Sequence, residues 1–223
     1  MPADASERPP AGLNDELLAQ LNGQVPTEAL DLSRRNLDPT DLRRIIKAIN
    51  GNPHLKSLCL ADNNLTNFNK DYTAMADFGK VLPSTSLTAL DISKNNLTNF
   101  GNDQDMLSEF MAVLPSTSLT SLNLASNHAF KKGLGEEKWG KDNRVLAKLA
   151  EVLPTTSITS LNLADNRLES EPVLLLAEAF QKASKLSSVD FSDNRLCNKE
   201  LLDAVSQVAP AVKLKASVAQ RKG

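Results

Sequence analysis

The chain has 223 residues, enough for one large domain or two small ones with a sizeable core. Lys and Arg total 25 against 27 Asp and Glu, and a net charge of −2 excludes a chain built throughout to grip nucleic acid or a membrane surface. No apolar run is long enough to span a bilayer, the two cysteines (Cys59 and Cys197) cannot make a disulfide scaffold, and 4% aromatic residues argue against an aromatic-lined cofactor pocket.

The N-terminal MPADASERPPAG carries acids and prolines and no apolar stretch of the Sec type, so the expected location is cytoplasmic, or outside by a non-Sec route if the chain is an effector. Residues 1–12 read as disordered. LNDELLAQLNG (13–23), with Asn14 as N-cap, reads as an N-terminal capping helix within a cap spanning 13–26.

The chain then repeats itself. TEALDLSRRNL (27–37), LKSLCLADNNL (55–65), LTALDISKNNL (87–97), LTSLNLASNHA (119–129), ITSLNLADNRL (158–168) and LSSVDFSDNRL (186–196) share the pattern L-x-x-L-x-L-x-x-N-x-L. Apolar positions four and six alternate with small or polar positions three, five and seven, the period of a half-buried strand. Position nine is Asn63, Asn95, Asn127, Asn166 and Asn194, with Arg35 in the degenerate first copy. A carboxamide there can bond backbone groups where the chain leaves the strand, so these five residues read as a structural ladder.

Amphipathic helical segments fill the intervals. DPTDLRRIIKAIN follows Leu37, with Asp38 as N-cap, Pro39 at the first helical position and Asp41 as capping-box partner. Similar segments occupy 72–83, 105–115, 143–154, 171–183 and 199–210, four of them closed by Pro83, Pro115, Pro154 and Pro210. Strand plus helix, recurring, predicts a parallel sheet with helices on one side only. The duplicated LTNFNK and LTNFGN place Phe68 and Phe100 in the core beneath the longer loops.

Strand starts at 27, 55, 87, 119, 158 and 186 give periods of 28, 32, 32, 39 and 28. With these motifs the chain resembles the leucine-rich-repeat superfamily, and its 28-residue unit is similar to the ribonuclease-inhibitor-like class. The resemblance covers about residues 25–210. It implies an α/β solenoid: a short right-handed β-α superhelix, bent into a horseshoe arc, with a concave parallel sheet and convex helices. The domains are then 1–12 disordered, 13–26 capping helix, 27–198 six repeats, and 199–223 a C-terminal capping helix and basic tail. That tail carries Lys213, Lys215, Arg221 and Lys222 without an acid and reads as a solvated end.

Two surfaces are candidates for binding. On the concave side, position five supplies Asp31, Cys59, Asp91, Asn123, Asn162 and Asp190, with Lys56 and Lys94 close by. Strands about 4.8 Å apart align them in a row about 24 Å long. This face is small, polar and modestly acidic, suited to a cationic partner or simply solvated. The second surface is the 39-residue repeat's insertion, HAFKKGLGEEKWGKDN (128–143), with His128, Phe130, Lys138, Trp139 and Lys141. Trp139 is either a contact anchor or a cover for the widened repeat.

Catalytic chemistry finds no constellation. His54 and His128 lie three repeats apart, no phosphate-binding or nucleophile-elbow motif occurs, and no metal set or cofactor site is expected. Cys59 lies between Asp31 and Asp91, whose charges raise a thiol pKa. The expected function is a non-catalytic protein–protein interaction module: one protein partner, no nucleic acid, no membrane insertion, a monomer. The alternatives are a regulator of a small GTPase, for which Arg34 is the one concave arginine, and a microbial effector binding a host protein.

Overall fold

The computed structural model describes residues 12–68, 70–98, 105–127, 144–168, 170–194, 203, 205–207 and 209–215. Seven three-residue strands form one sheet: β1 (Ala29–Asp31), β2 (Ser57–Cys59), β3 (Ala89–Asp91), β4 (Ser121–Asn123), β5 (Ser160–Asn162), β6 (Ser188–Asp190) and β7 (Lys213–Lys215). Each pairs in parallel with the next, in the order β1 to β7. The register aligns equivalent repeat positions, Leu30 with Leu58, Leu58 with Leu90, and so across the sheet. This is the repeating strand–helix solenoid that the spacing predicts.

Helices alternate with the strands: α1 (Asp15–Leu21), α2 (Pro39–Ile49), α3 (Thr73–Val81), α4 (Asp105–Val113), α5 (Arg144–Val152) and α6 (Ser170–Lys182). Asn14 caps α1, its Oδ1 accepting the Leu17 N–H at 2.9 Å. Asp38 caps α2 through the N–H groups of Thr40 and Asp41. Asp41 does not act as the expected reciprocal cap; its carboxylate pairs with Arg44 at 3.3 Å. α3, α4 and α5 each run into a 3-10 turn that holds the proline: Leu82–Ser84, Leu114–Ser116 and Leu153–Thr155. The next threonine closes each turn, with Thr85, Thr117 and Thr156 hydroxyls donating at 2.8 Å to Leu82, Leu114 and Leu153 carbonyls.

The core lies between the sheet and the helices. Strand positions four and six supply Leu30, Leu32, Leu58, Leu60, Leu90 and Ile92, and α2 answers with Leu42, Ile45 and Ile49, all buried. Burying one such side chain is worth about 2 kcal/mol, so this stripe supplies most of the favourable energy of folding. Phe78 of α3 stacks with Phe110 of α4, ring centroids 6.5 Å apart. Gly79 permits that approach, because a Cβ there would meet Phe110 Cδ2 at 3.3 Å.

Each strand exits through the same bend. Position eight is left-handed in all six motif copies: Arg34, Asp62, Lys94, Ser126, Asp165 and Asp193 have φ between 50° and 59°. None is glycine, so each copy carries local strain that the surrounding hydrogen bonds must offset.

Two expectations are corrected. Phe68 does not fill the core; it is 74% exposed, and it sits with Asn67 in a left-handed turn that carries its ring outward. The basic tail is not simply a solvated end: Lys213–Lys215 adds the seventh strand, its central Leu214 packed against the core. The motif hid this strand because Ala219 stands where the other copies have the ladder asparagine. Residues 1–11, Phe100, the 128–143 insertion and Cys197 lie outside the described residues. Gly12, at the end of the segment read as disordered, donates its N–H to the Arg35 carbonyl at 2.8 Å.

Candidate interaction surface

The strand positions divide between two faces. Positions four and six point to the helices, while positions three and five are at least partly exposed on the opposite, open face of the sheet. Register brings Asp31, Cys59, Asp91, Asn123, Asn162, Asp190 and Lys215 into one row. Ala29, Ser57, Ala89, Ser121, Ser160, Ser188 and Lys213 form a second.

Position five has a local task that the sequence reading missed. One side-chain oxygen of each Asp or Asn accepts the N–H two residues on: Ser33 to Asp31 at 2.8 Å, Ser93 to Asp91 at 2.9 Å, Ala125 to Asn123 at 3.0 Å, Ala164 to Asn162 at 2.9 Å and Ser192 to Asp190 at 2.8 Å. Asp and Asn recur there because they close the bend at the strand end. The signal was legible as Asp or Asn followed two residues later by Ser or Ala. The second oxygens of Asp91 and Asp190 also have partners: Asn123 donates to Asp91 at 2.7 Å, and Lys215 to Asp190 at 2.8 Å.

The electrostatics follow from this packing. Burial alone would raise the Asp31 carboxyl, but hydrogen bonds from Ser33 and Cys59 and the charge of Arg35 outweigh it and lower the pKa. Asp190 is likewise lowered: burial opposes, and the bonds from Lys215 and Ser192 prevail. Lys215 is raised by that same bond and by the charge of Asp190. The Cys59 thiol is pushed up to about 11, first by burial and then by Asp91 and Asp31, although the Ala61 N–H pulls the other way. Such a thiol is a poor nucleophile at neutral pH. Along the row Asp31, Asp91 and Asp190 are acidic and Lys215 closes it, bonded to Asp190, with Lys213 beside it at the end of the second row, an arrangement that only the seventh strand reveals.

Lys56 and Lys94 lie at the edges of this face. Lys56 Nζ donates to the Pro53 carbonyl at 2.9 Å, and Lys94 is exposed on the bend after β3. His128, Phe130, Lys138, Trp139 and Lys141 fall outside the described residues. Among the described residues no three His, Cys, Asp or Glu side chains group as a metal site would need, and no helix is long and apolar enough to cross a membrane.

The asparagines form a column beneath the bends. Asn127 shows the unit: its Nδ2 donates to the carbonyls of Ile92 at 2.9 Å and Leu124 at 3.2 Å, and its Oδ1 accepts the Asn95 N–H at 2.8 Å. Asn166 Oδ1 accepts from Asn127, and Asn194 Oδ1 from Asn166 and Leu168. Asn63 Oδ1 accepts from Arg35 and Leu37.

The family model described as leucine rich repeat matches residues 51–67, 84–101 and 116–130, three consecutive strand-and-bend units. The chain carries leucine-rich repeats at these positions. Among curated proteins nothing matches. Of the solved structures similar to this leucine-rich-repeat chain, one is a chain of the Rad7 and Elc1 complex in yeast, 16% identical, with a TM-score of 0.50. That alignment covers 93% of this chain and 55% of the other, a likeness of fold. Another is leiomodin-1 actin-binding site 2, 13% identical over 92% of this chain and 80% of the other, with a TM-score of 0.34. Leucine-rich repeats imply a protein-binding module, and the family is generally a non-catalytic interaction scaffold.

Proposed function

We propose that the open face of the sheet is the binding surface of a non-catalytic interaction module, and that it recognises a protein partner of complementary charge polarity. The observation that carries this reading is the in-register row from Asp31 to Lys215, acidic at Asp31, Asp91 and Asp190 and closed by the lysines of β7. The partner then presents basic groups opposite Asp31 and Asp91 and acidic groups opposite Lys213 and Lys215. Rows fixed by a continuous sheet lose little entropy on docking, so modest contacts suffice for specificity. The 128–143 insertion, with Trp139, supplies a second contact.

The test is affinity capture from native cell extract with the full chain, an Asp31→Lys/Asp91→Lys double variant and Trp139→Ala. Charge reversal is expected to remove the specifically captured protein, and Asp31→Asn/Asp91→Asn, which removes the charge but keeps an oxygen to accept the Ser33 and Ser93 N–H groups, should also lose capture while the melting temperature stays within a few degrees. An unchanged capture profile for the double variant overturns the open-face reading.

A further inference from the structure

Among the described residues the sheet ends at two edges, β1 and β7, and they differ in charge. β1 carries exposed Ala29 and Asp31, with exposed Glu28 just before it, and β7 carries exposed Lys213 and Lys215. In β2 to β6 the same two positions are only half-exposed, because a strand lies on either side. Apolar surface also stands at both ends: Val25, in the connection into β1, is 45% exposed, and Leu214 of β7 is only partly buried. A strand edge of this kind is a template for another strand.

The repeating hydrogen bonds show what each edge offers. From β2 to β6 the N–H groups of positions two and three both donate to the position-two carbonyl of the repeat before: Lys56 and Ser57 to Glu28, Thr88 and Ala89 to Lys56, Thr120 and Ser121 to Thr88, Thr159 and Ser160 to Thr120, and Ser187 and Ser188 to Thr159. Lys213, at position three of β7, donates likewise to Ser187. By the same pattern the Glu28 and Ala29 N–H groups point away from β2, and the Val212 carbonyl points away from β6. One edge therefore presents donors where the other presents their acceptor. α1 precedes β1 and packs against α2 as each later helix packs against the next, so a strand laid beside β1 meets a helix layer already in place.

Charge selects which edges meet. Laying β7 beside β7 sets lysines against lysines, and β1 beside β1 sets carboxylates against carboxylates; both arrangements are destabilising. β7 beside β1 is complementary. Continuing the register of β6 and β7 places Lys213 opposite Ala29, Leu214 opposite Leu30 and Lys215 opposite Asp31 of a second copy. Within the chain Lys215 already makes this kind of contact, donating to Asp190 at 2.8 Å at the same position one strand back. Its ammonium has further hydrogens for Asp31, and Lys213 reaches the same carboxylate diagonally. We propose that a second copy of this chain docks head to tail, its β1 adding in parallel to β7 so that the sheet runs on from one copy into the next. The interface is heterologous, so it repeats from copy to copy rather than closing as a two-fold dimer. It goes beyond the open-face reading: there a partner covers the row, and here a copy of the chain extends it.

The experiment is sedimentation velocity of the full chain from micromolar to millimolar concentration at low salt. With three-residue strands the contact is small and partly electrostatic, so the weight-average sedimentation coefficient should climb with concentration without a plateau and fall back on adding salt. Ala29→Pro removes an outward N–H, and Lys213→Glu reverses an exposed charge. Each should stay monomeric, with a melting temperature within a few degrees of the native chain. The first retains a native β7 and the second a native β1, so an equimolar mixture should form a one-to-one dimer and nothing larger. The proposal is overturned by a native chain that stays monomeric at millimolar concentration, by a variant that associates as the native chain does, or by a mixture that stays monomeric. It is equally overturned if Asp91→Asn, on the open face but away from both edges, abolishes the association. Ala29→Pro should leave capture of the open-face partner unchanged, so the two readings fail separately.

Discussion

Replacing Asn127 by Ala removes three hydrogen bonds at a fully buried site. The carbonyls of Ile92 and Leu124 lose a donor, and the Asn95 N–H loses its acceptor. Asn127 has 0% exposure, so water cannot readily replace the carboxamide. At about 1 kcal/mol for each bond, Asn127→Ala should cost about 3 kcal/mol, with the orphaned N–H the most damaging of the three. Asn95→Ala is the internal comparison. Its two Nδ2 hydrogens are shared among the carbonyls of Leu60, Ile92 and Ser93 and its Oδ1 accepts nothing, so no N–H is orphaned and the change should cost about 2 kcal/mol. Urea unfolding followed by circular dichroism measures both, provided the slope with denaturant is common to all variants, because a solenoid can unfold in parts. A cost for Asn127→Ala below about 1 kcal/mol, or no greater than that of Asn95→Ala, would refute the ladder accounting.

Three further outcomes follow from the same geometry. In a Cys197→Ser background, Cys59 should be alkylated slowly: a thiol pushed from 9.0 to about 11 holds about a hundredfold less thiolate at any pH below 9, and Asp91→Asn should speed the reaction. A rate equal to that of a free cysteine contradicts this. Lys94 has φ 56°, so Lys94→Val should destabilise by about 1–2 kcal/mol while Lys94→Gly stays within about 1 kcal/mol of the native chain. Equal stability of the two variants on thermal melting removes the strain argument. Asp190 has a lowered pKa, so its stabilising contribution is present above its ordinary value of 3.8 and is lost as pH falls through the lower folded value. The protection factor of the Phe191 amide, which donates to the Lys215 carbonyl, should therefore fall in acid, and Asp190→Asn should flatten that dependence. The same pH profile in the variant excludes the Asp190–Lys215 bond as its source.

The sequence alone determined the repeat, its register and the inward-facing residues. A strand of period two, followed by a helix of period 3.6, leaves one way to bury Leu58, Leu60 and their equivalents: stack the copies. The capping roles of Asn14 and Asp38 were likewise local, set by residues within a few positions of each other. Asp41 shows the limit of such reading, because a nearby arginine competed for its carboxylate.

Tertiary structure decided what depends on contacts between repeats. β7 has no asparagine and no leucine series; it pairs because β6 offers an open edge, Leu214 finds the core, and Lys215 finds Asp190. Phe68 looked like core by composition, yet the path of its loop turned it outward. The unpartnered oxygen of Asn95 was equally invisible, since the motif is the same there as at Asn127, whose oxygen is bonded. Periodicity fixes which side of an element is buried, whereas satisfaction of a buried polar atom depends on where distant segments bring their N–H groups.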